Sequence, residues 1–133
     1  MRFARCPQKL RARVTRGLLE AFRTEDTSNV RALLGEVAEH FEVKIPIVEF
    51  VDRVDLRGAK AATFNSGLAG VIQLIKPSAW KRRRPTADDV ERRMGTSPED
   101  WTHVALHELY HIIVWHRDEE KADEFAHKFV SLA

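Results

Sequence analysis

Between Ser97 and Trp115 an apolar run, built on Trp101, Val104, Ala105, Leu106, Leu109, Ile112, Ile113 and Val114, is interrupted by His107, Glu108 and His111. Ser97 fits a helix N-cap, Pro98 the first helical position, and Glu99 and Asp100 the first turn, where the helix dipole favours acids. The stretch therefore predicts one helix, apolar on most of its faces, and such a helix belongs inside a core. Two imidazoles and a carboxylate buried there are costly without a partner. Whatever fold the chain adopts must supply that partner.

The spacing says what kind of partner. Helical residues four apart differ by about 40° and rise by about 6 Å, so His107 and His111 project from one face and can grip a single Zn²⁺. Glu108 lies about 60° round the helix from His111, within reach of a water on the metal, the position of a general base. His107, Glu108, Leu109, Tyr110 and His111 spell HELYH, an instance of the HExxH signature of zinc peptidases. With six histidines in 133 residues, chance placement produces such a match in roughly 2% of chains of this composition. The alternative is a core helix whose histidines only hydrogen-bond.

A catalytic zinc takes three protein ligands and keeps one position open. Downstream, DEEKADEFAHKFV places Ala122, Phe125, Ala126, Phe129 and Val130 at helical spacing and predicts a second helix from about Asp118. Glu119 and Asp123, four apart, share a face of it. In a tight helical hairpin turning near Arg117, Glu119 comes level with Trp115 and Asp123 level with His111. Spacing thus leaves the third ligand open between Glu119 and Asp123, with Asp118 and His127 behind them. An HExxHxxGxxH arrangement is excluded, because Val114 and Arg117 occupy its glycine and third-histidine positions.

HELYH followed by EEKADEFA resembles the gluzincin metallopeptidases, in particular the minigluzincins and the ImmA/IrrE-like members. The resemblance implies Glu119 as third zinc ligand and Asp123 as the acceptor that fixes the tautomer of a ligand imidazole. The link of seven residues from His111 to Glu119 is shorter than that family usually has, which keeps Asp123 as the runner-up ligand. The implied fold is α+β: a minimal zincin-like domain, helices on a small mixed or antiparallel sheet, the motif helix followed by a C-terminal ligand helix. The implied activity is that of a zinc metalloendopeptidase, with a peptide or protein as substrate and Glu108 as catalytic base. Such a fold also implies an edge strand that pairs with extended substrate. Gly70, Val71, Ile72, Gln73 and Leu74 are the candidate edge, since an exposed strand binds peptide by strand addition. The family allows a second reading, a regulatory or weakly active protein that acts on one specific partner.

Other polar residues of the motif helix carry weaker expectations. His103, one turn before His107, reads as a partly exposed helix histidine, or as a residue lining the cleft and helping to hold an oxyanion. His116 suits the helix end, where imidazole meets the negative end of the dipole. Tyr110, turned about 100° from His111, reads as packing.

The remaining elements follow from periodicity. Residues 8 to 24 read as a helix, with Leu10, Val14, Leu18 and Phe22 four apart. A second helix, capped by Thr27 or Ser28, carries Val30, Leu33, Leu34, Val37, Ala38 and Phe41 and ends before Lys44 and Pro46. Three short segments have strand character: Ile47 to Val51, Lys60 to Asn65 and Gly70 to Ile75, with Asn65, Ser66 and Gly67 as a hairpin turn. Lys76 to Thr96, with KRRRP at 81 to 85, reads as a long connection. At 133 residues and 44% apolar, a single domain spanning 1–133 is expected.

A net charge of +2 does not argue for nucleic-acid binding. The basic residues cluster, however: Arg2, Arg5, Lys9, Arg11, Arg13 and Arg16 precede any acid, and Lys81 to Arg84 run together. A solvated helix face and loop is the plain reading, and contact with nucleic acid or an acidic partner the other, with any zinc then purely structural. Cys6, the one cysteine, excludes an internal disulfide framework and a Cys-based zinc site, and fits a reducing compartment. No apolar run approaches a membrane span and no h-region follows the N-terminal basic residues, so a cytoplasmic location is expected.

Overall fold

The computed structural model describes residues 6–52, 61–66, 69–84, 87, 90, 94–114 and 118–131. Among them the chain is α+β, in the order α1 (Gln8–Thr24), α2 (Val30–His40), β1 (Ile47–Val51), β2 (Ala61–Ser66), β3 (Ala69–Ile75), α3 (Pro77–Arg82), α4 (Pro98–Val114) and α5 (Glu119–Ser131). Helix α4, the motif helix, touches α1, α2, α5, β2 and β3. Encirclement explains its composition: a helix packed from most sides is apolar on most faces. Trp101, Ala105, Leu106, Leu109 and Ile112 are all within 2% of full burial.

Helix α4 begins as its sequence predicts. The Ser97 hydroxyl accepts the Asp100 N–H at 3.1 Å, and the Asp100 carboxylate accepts the Gly95 N–H at 2.8 Å. Helix α2 begins differently from expectation. Neither Thr27 nor Ser28 caps it, because the Asp26 carboxylate engages both the Ser28 N–H and its hydroxyl, and Asn29 precedes the first turn without a side-chain cap. Helices α1 and α2 approach closely at Gly17, where a Cβ would stand 2.6 Å from Leu33 Cδ1.

The sheet has three strands in the order β1-β3-β2. Strand β2 runs antiparallel to β3, with Ser66 opposite Ala69, while β1 runs parallel to β3, with Ile47 opposite Val71. The sheet is therefore mixed, and the purely antiparallel alternative is set aside. The parallel pair needs a crossover connection, and the 17 residues between Val51 and Ala69, which include β2, supply it.

This order corrects the edge-strand expectation. Gly70, Val71, Ile72, Gln73 and Leu74 lie in the central strand, paired on one side with β1 and on the other with β2. Their backbone groups are taken, so they have no edge to offer a peptide. Their apolar run was the contrary signal: Val71, Ile72, Leu74 and Ile75 are buried, as a strand covered on both faces requires. Of the three residues expected to form the hairpin turn, Asn65 and Ser66 are paired within β2 instead, and Gly67, like the expected strand start at Lys60, lies outside the described residues.

The connection from Lys76 to Thr96 also departs from expectation, since Pro77–Arg82 is a helix with proline in its first turn. Trp80 is fully buried, the Arg83 guanidinium stacks 3.9 Å over its ring, and Arg83 donates to the Gly95 carbonyl at 2.7 Å. Lys81 reaches Glu25 at 3.1 Å. Two of the four consecutive basic residues are thus docked. The rest of the segment, Pro85 and the charged stretch to Arg93, is in large part outside the described residues. Of the first basic cluster, Arg13 pairs with Glu36 at 2.7 Å, and Arg11 and Arg16 donate to backbone carbonyls; Arg2 and Arg5 are not described. Among the described residues no helix is long and apolar enough to cross a membrane.

Candidate metal centre

The antiparallel pairing of α4 and α5 brings five predicted residues together. Phe125 seats its ring 5.6 Å from that of Tyr110, and Ala122, Ala126 and Phe129 are buried beside it. Tyr110 therefore packs as expected, and burial pushes its phenol above the ordinary range. That seating sets the axial register of α5. Its first residue, Glu119, lies opposite His107 and His111, about one turn nearer the N-terminus of α4 than the tight hairpin expected from spacing gives. Side-chain packing, rather than residue spacing, decides which acid meets which histidine. The turn at Arg117 and the helix end at His116 lie outside the described residues.

His107 Nε2, His111 Nε2 and the Glu119 carboxylate converge on one point. The two nitrogens are 3.3 Å apart, and the two Glu119 oxygens stand 2.9 Å from His107 Nε2 and 2.8 Å from His111 Nε2. Ligand atoms around a tetrahedral zinc at 2.0–2.1 Å are separated by about 3.3 Å. The nitrogen pair already has that spacing, and the carboxylate needs to withdraw by only about 0.5 Å, easy for a side chain that is 68% exposed. These three residues can hold a metal ion.

Asp123 stands behind this cluster rather than in it. Its Oδ1 accepts a hydrogen bond from His107 Nδ1 at 2.7 Å and another from His103 Nε2 at 3.1 Å. With the His107 proton held on Nδ1, its Nε2 presents a lone pair toward Glu119 and His111. His111 Nε2 meets Glu119 either as an N–H donor or, with its proton on Nδ1, as a second lone pair, and in the latter form a cation is needed between the three side chains. A divalent metal answers that need and matches the geometry. A second metal-capable grouping, His103, His107 and Asp123, shares His107 with the first. The first is the better centre, since in it both carboxylate oxygens and two Nε2 atoms converge, while Asp123 orients one of the ligands.

Glu108 is buried, and its Oε2 lies 3.7 Å from His107 Nε2, beside the convergence point but outside the ligand triangle. His107 and His111 are nearly enclosed, whereas Glu119 faces solvent, so the centre is closed on its protein side and open on the other. Asp118 is occupied as the cap of α5, its carboxylate accepting the Lys121 N–H at 3.0 Å. An open cleft of about 580 Å³ lies along the far side of Asp123, with Met94, Glu99, His103, His127 and Val130 in its walls. His127 is thus near His103 and not among the atoms that converge at Glu119. Sequence reasoning missed the bond of His103 to Asp123; the available signal was its position four residues before His107, on the same helical face.

Compared with known proteins, the chain matches no protein-family model, no curated protein and no solved structure. The functional reading rests on the centre itself.

Proposed function

We propose that this chain is a zinc-dependent metallopeptidase with a minimal zincin-like, gluzincin-type domain. The observation that carries the reading is the convergence of His107, His111 and Glu119 with Glu108 beside them, three ligands and one base around a solvent-facing opening. A structural zinc has its four positions filled by protein; a catalytic one keeps a position free. Three ligands with an open side favour the catalytic class over a nucleic-acid-binding protein with structural zinc.

When bound, zinc supplies the Lewis acidity that brings a water's pKa toward neutrality and polarises the scissile carbonyl. The chain's own residues do the rest. Glu108 takes a proton from the attacking water as its oxygen bonds to the carbonyl carbon, then delivers that proton to the leaving nitrogen as the C–N bond breaks. Asp123 holds the His107 proton on Nδ1, so that Nε2 stays a donor of electrons. For substrate, the strand to consider is β2 (Ala61–Ser66). Among the described strands it is an outer one, it packs on α4, and an outer strand has backbone groups available for an extended peptide. A single buried thiol at Cys6 suits work in the cytoplasm.

The test is digestion of a mixture of unstructured peptides, read by mass spectrometry, with zinc-loaded wild type and Glu108→Gln. Cleavage by the wild type and none by Glu108→Gln, both holding equal zinc, supports the reading. Tight zinc without any cleavage moves it to the regulatory alternative, a protein that acts on one specific partner.

A further inference from the structure

We infer that His103 is a positioning residue of the metal centre: through Asp123 it fixes the orientation of the His107 imidazole and so sets the affinity for zinc. The inference rests on the metal centre proposed above and adds a residue outside the HExxH and Glu119 set.

Its basis is a chain of contacts. Asp123 Oδ1 is held from two sides, by His107 Nδ1 at 2.7 Å and by His103 Nε2 at 3.1 Å. Both histidines come from one face of α4, four residues apart, while Asp123 comes from α5. The Asp123 side chain is 35% exposed and borders the open cleft. A carboxylate at such a place gains freedom to turn toward water with each bond it loses, and the imidazole it orients turns with it. The bond from His103, on the same oxygen that holds His107, restrains that motion. His103 also draws some charge from the carboxylate, which by itself makes His107 a slightly weaker ligand. On a partly hydrated carboxylate, though, water replaces a lost donor, so the electronic change is small and the loss of orientation dominates.

The test measures zinc affinity by competition with a chromophoric chelator for wild type, His103→Phe, His103→Gln, Asp123→Ala and the His103→Phe/Asp123→Ala double variant. Phenylalanine keeps ring volume without the donor, and glutamine restores an N–H. His103→Phe is expected to weaken zinc about tenfold, the lower end for outer partners of metal ligands. His103→Gln should recover most of that loss. In the Asp123→Ala background His103→Phe should change affinity less than about twofold, because its route to the metal is already cut. Matching melting temperatures of the zinc-free proteins show that the fold is intact. Unchanged affinity in His103→Phe, or an equal loss in both backgrounds, overturns the positioning role while leaving the metal centre standing. Wild type that takes up no zinc overturns both. If His103→Phe abolishes zinc while Glu119→Ala keeps it, the metal sits between His103, His107 and Asp123, and His103 is a ligand instead.

Discussion

Replacing Glu119 by alanine removes one of the three ligands that define the proposed zinc position, and the anionic one, with little else disturbed. The side chain is 68% exposed and, among the described residues, it bonds His107 and His111, so its loss opens no cavity in the core. Four-ligand zinc sites bind with about 10–16 kcal/mol, or about 3 kcal/mol per ligand. Glu119→Ala should therefore weaken zinc by at least about a hundredfold. Asp123→Ala removes a partner of a ligand rather than a ligand and should cost about 10–100-fold. His111→Ala removes a buried ligand and should fall with Glu119→Ala. Chelator competition gives the affinities, and metal analysis of the purified proteins gives the stoichiometry. The order Glu119→Ala worse than Asp123→Ala is the result expected. The reverse order, with Glu119→Ala binding like wild type, refutes the argument that convergence of Nε2 atoms and carboxylate marks the site. Loss of zinc in none of the variants, because wild type has none, returns α4 to a core helix whose histidines only hydrogen-bond.

Two further predictions concern the frame. Trp101→Phe deletes the indole N–H that donates to the Ile75 carbonyl at 2.8 Å and ties α4 to the end of β3; leaving that buried acceptor unpaired should destabilise the fold by about 1–3 kcal/mol in urea unfolding. Cys6 is buried, and burial pushes its thiol above the ordinary value, an effect that Arg11 partly opposes. A folded thiol that holds its proton more tightly than the unfolded one stabilises fully below the unfolded pKa, and that stability is lost as pH rises toward the folded pKa. Stability should thus decline in the alkaline range, with a smaller decline in Cys6→Ala; equal pH profiles for the two proteins would refute the assignment.

Much of this architecture was legible because it is local. The 8–24 helix, the Ser97 cap with Pro98, the second helix from about Asp118 and the three strands expected from Ile47, Lys60 and Gly70, found at Ile47, Ala61 and Ala69, follow from periodicity, capping chemistry and β-branched runs. What failed also failed for physical reasons. Gly70 to Leu74 looked like a strand, and is one, but whether a strand is central or an edge depends on which other strands reach it. The helix at Pro77 was hidden in a basic stretch, although Pro77 stood at a good first position and Trp80 needed burial.

The candidate site divides along the same line. Helical geometry alone puts His107 and His111 on one face with Glu108 alongside, because four residues make nearly one turn. No local rule chooses between Glu119 and Asp123, which share a face of α5 and carry the same charge. That choice belongs to the register of α5 on α4, set where Phe125 seats against Tyr110 and the small residues Ala122 and Ala126 let the helices close. Packing slides α5 by about a turn, sets Glu119 against both Nε2 atoms, and leaves Asp123 to hold His107 and His103 from behind.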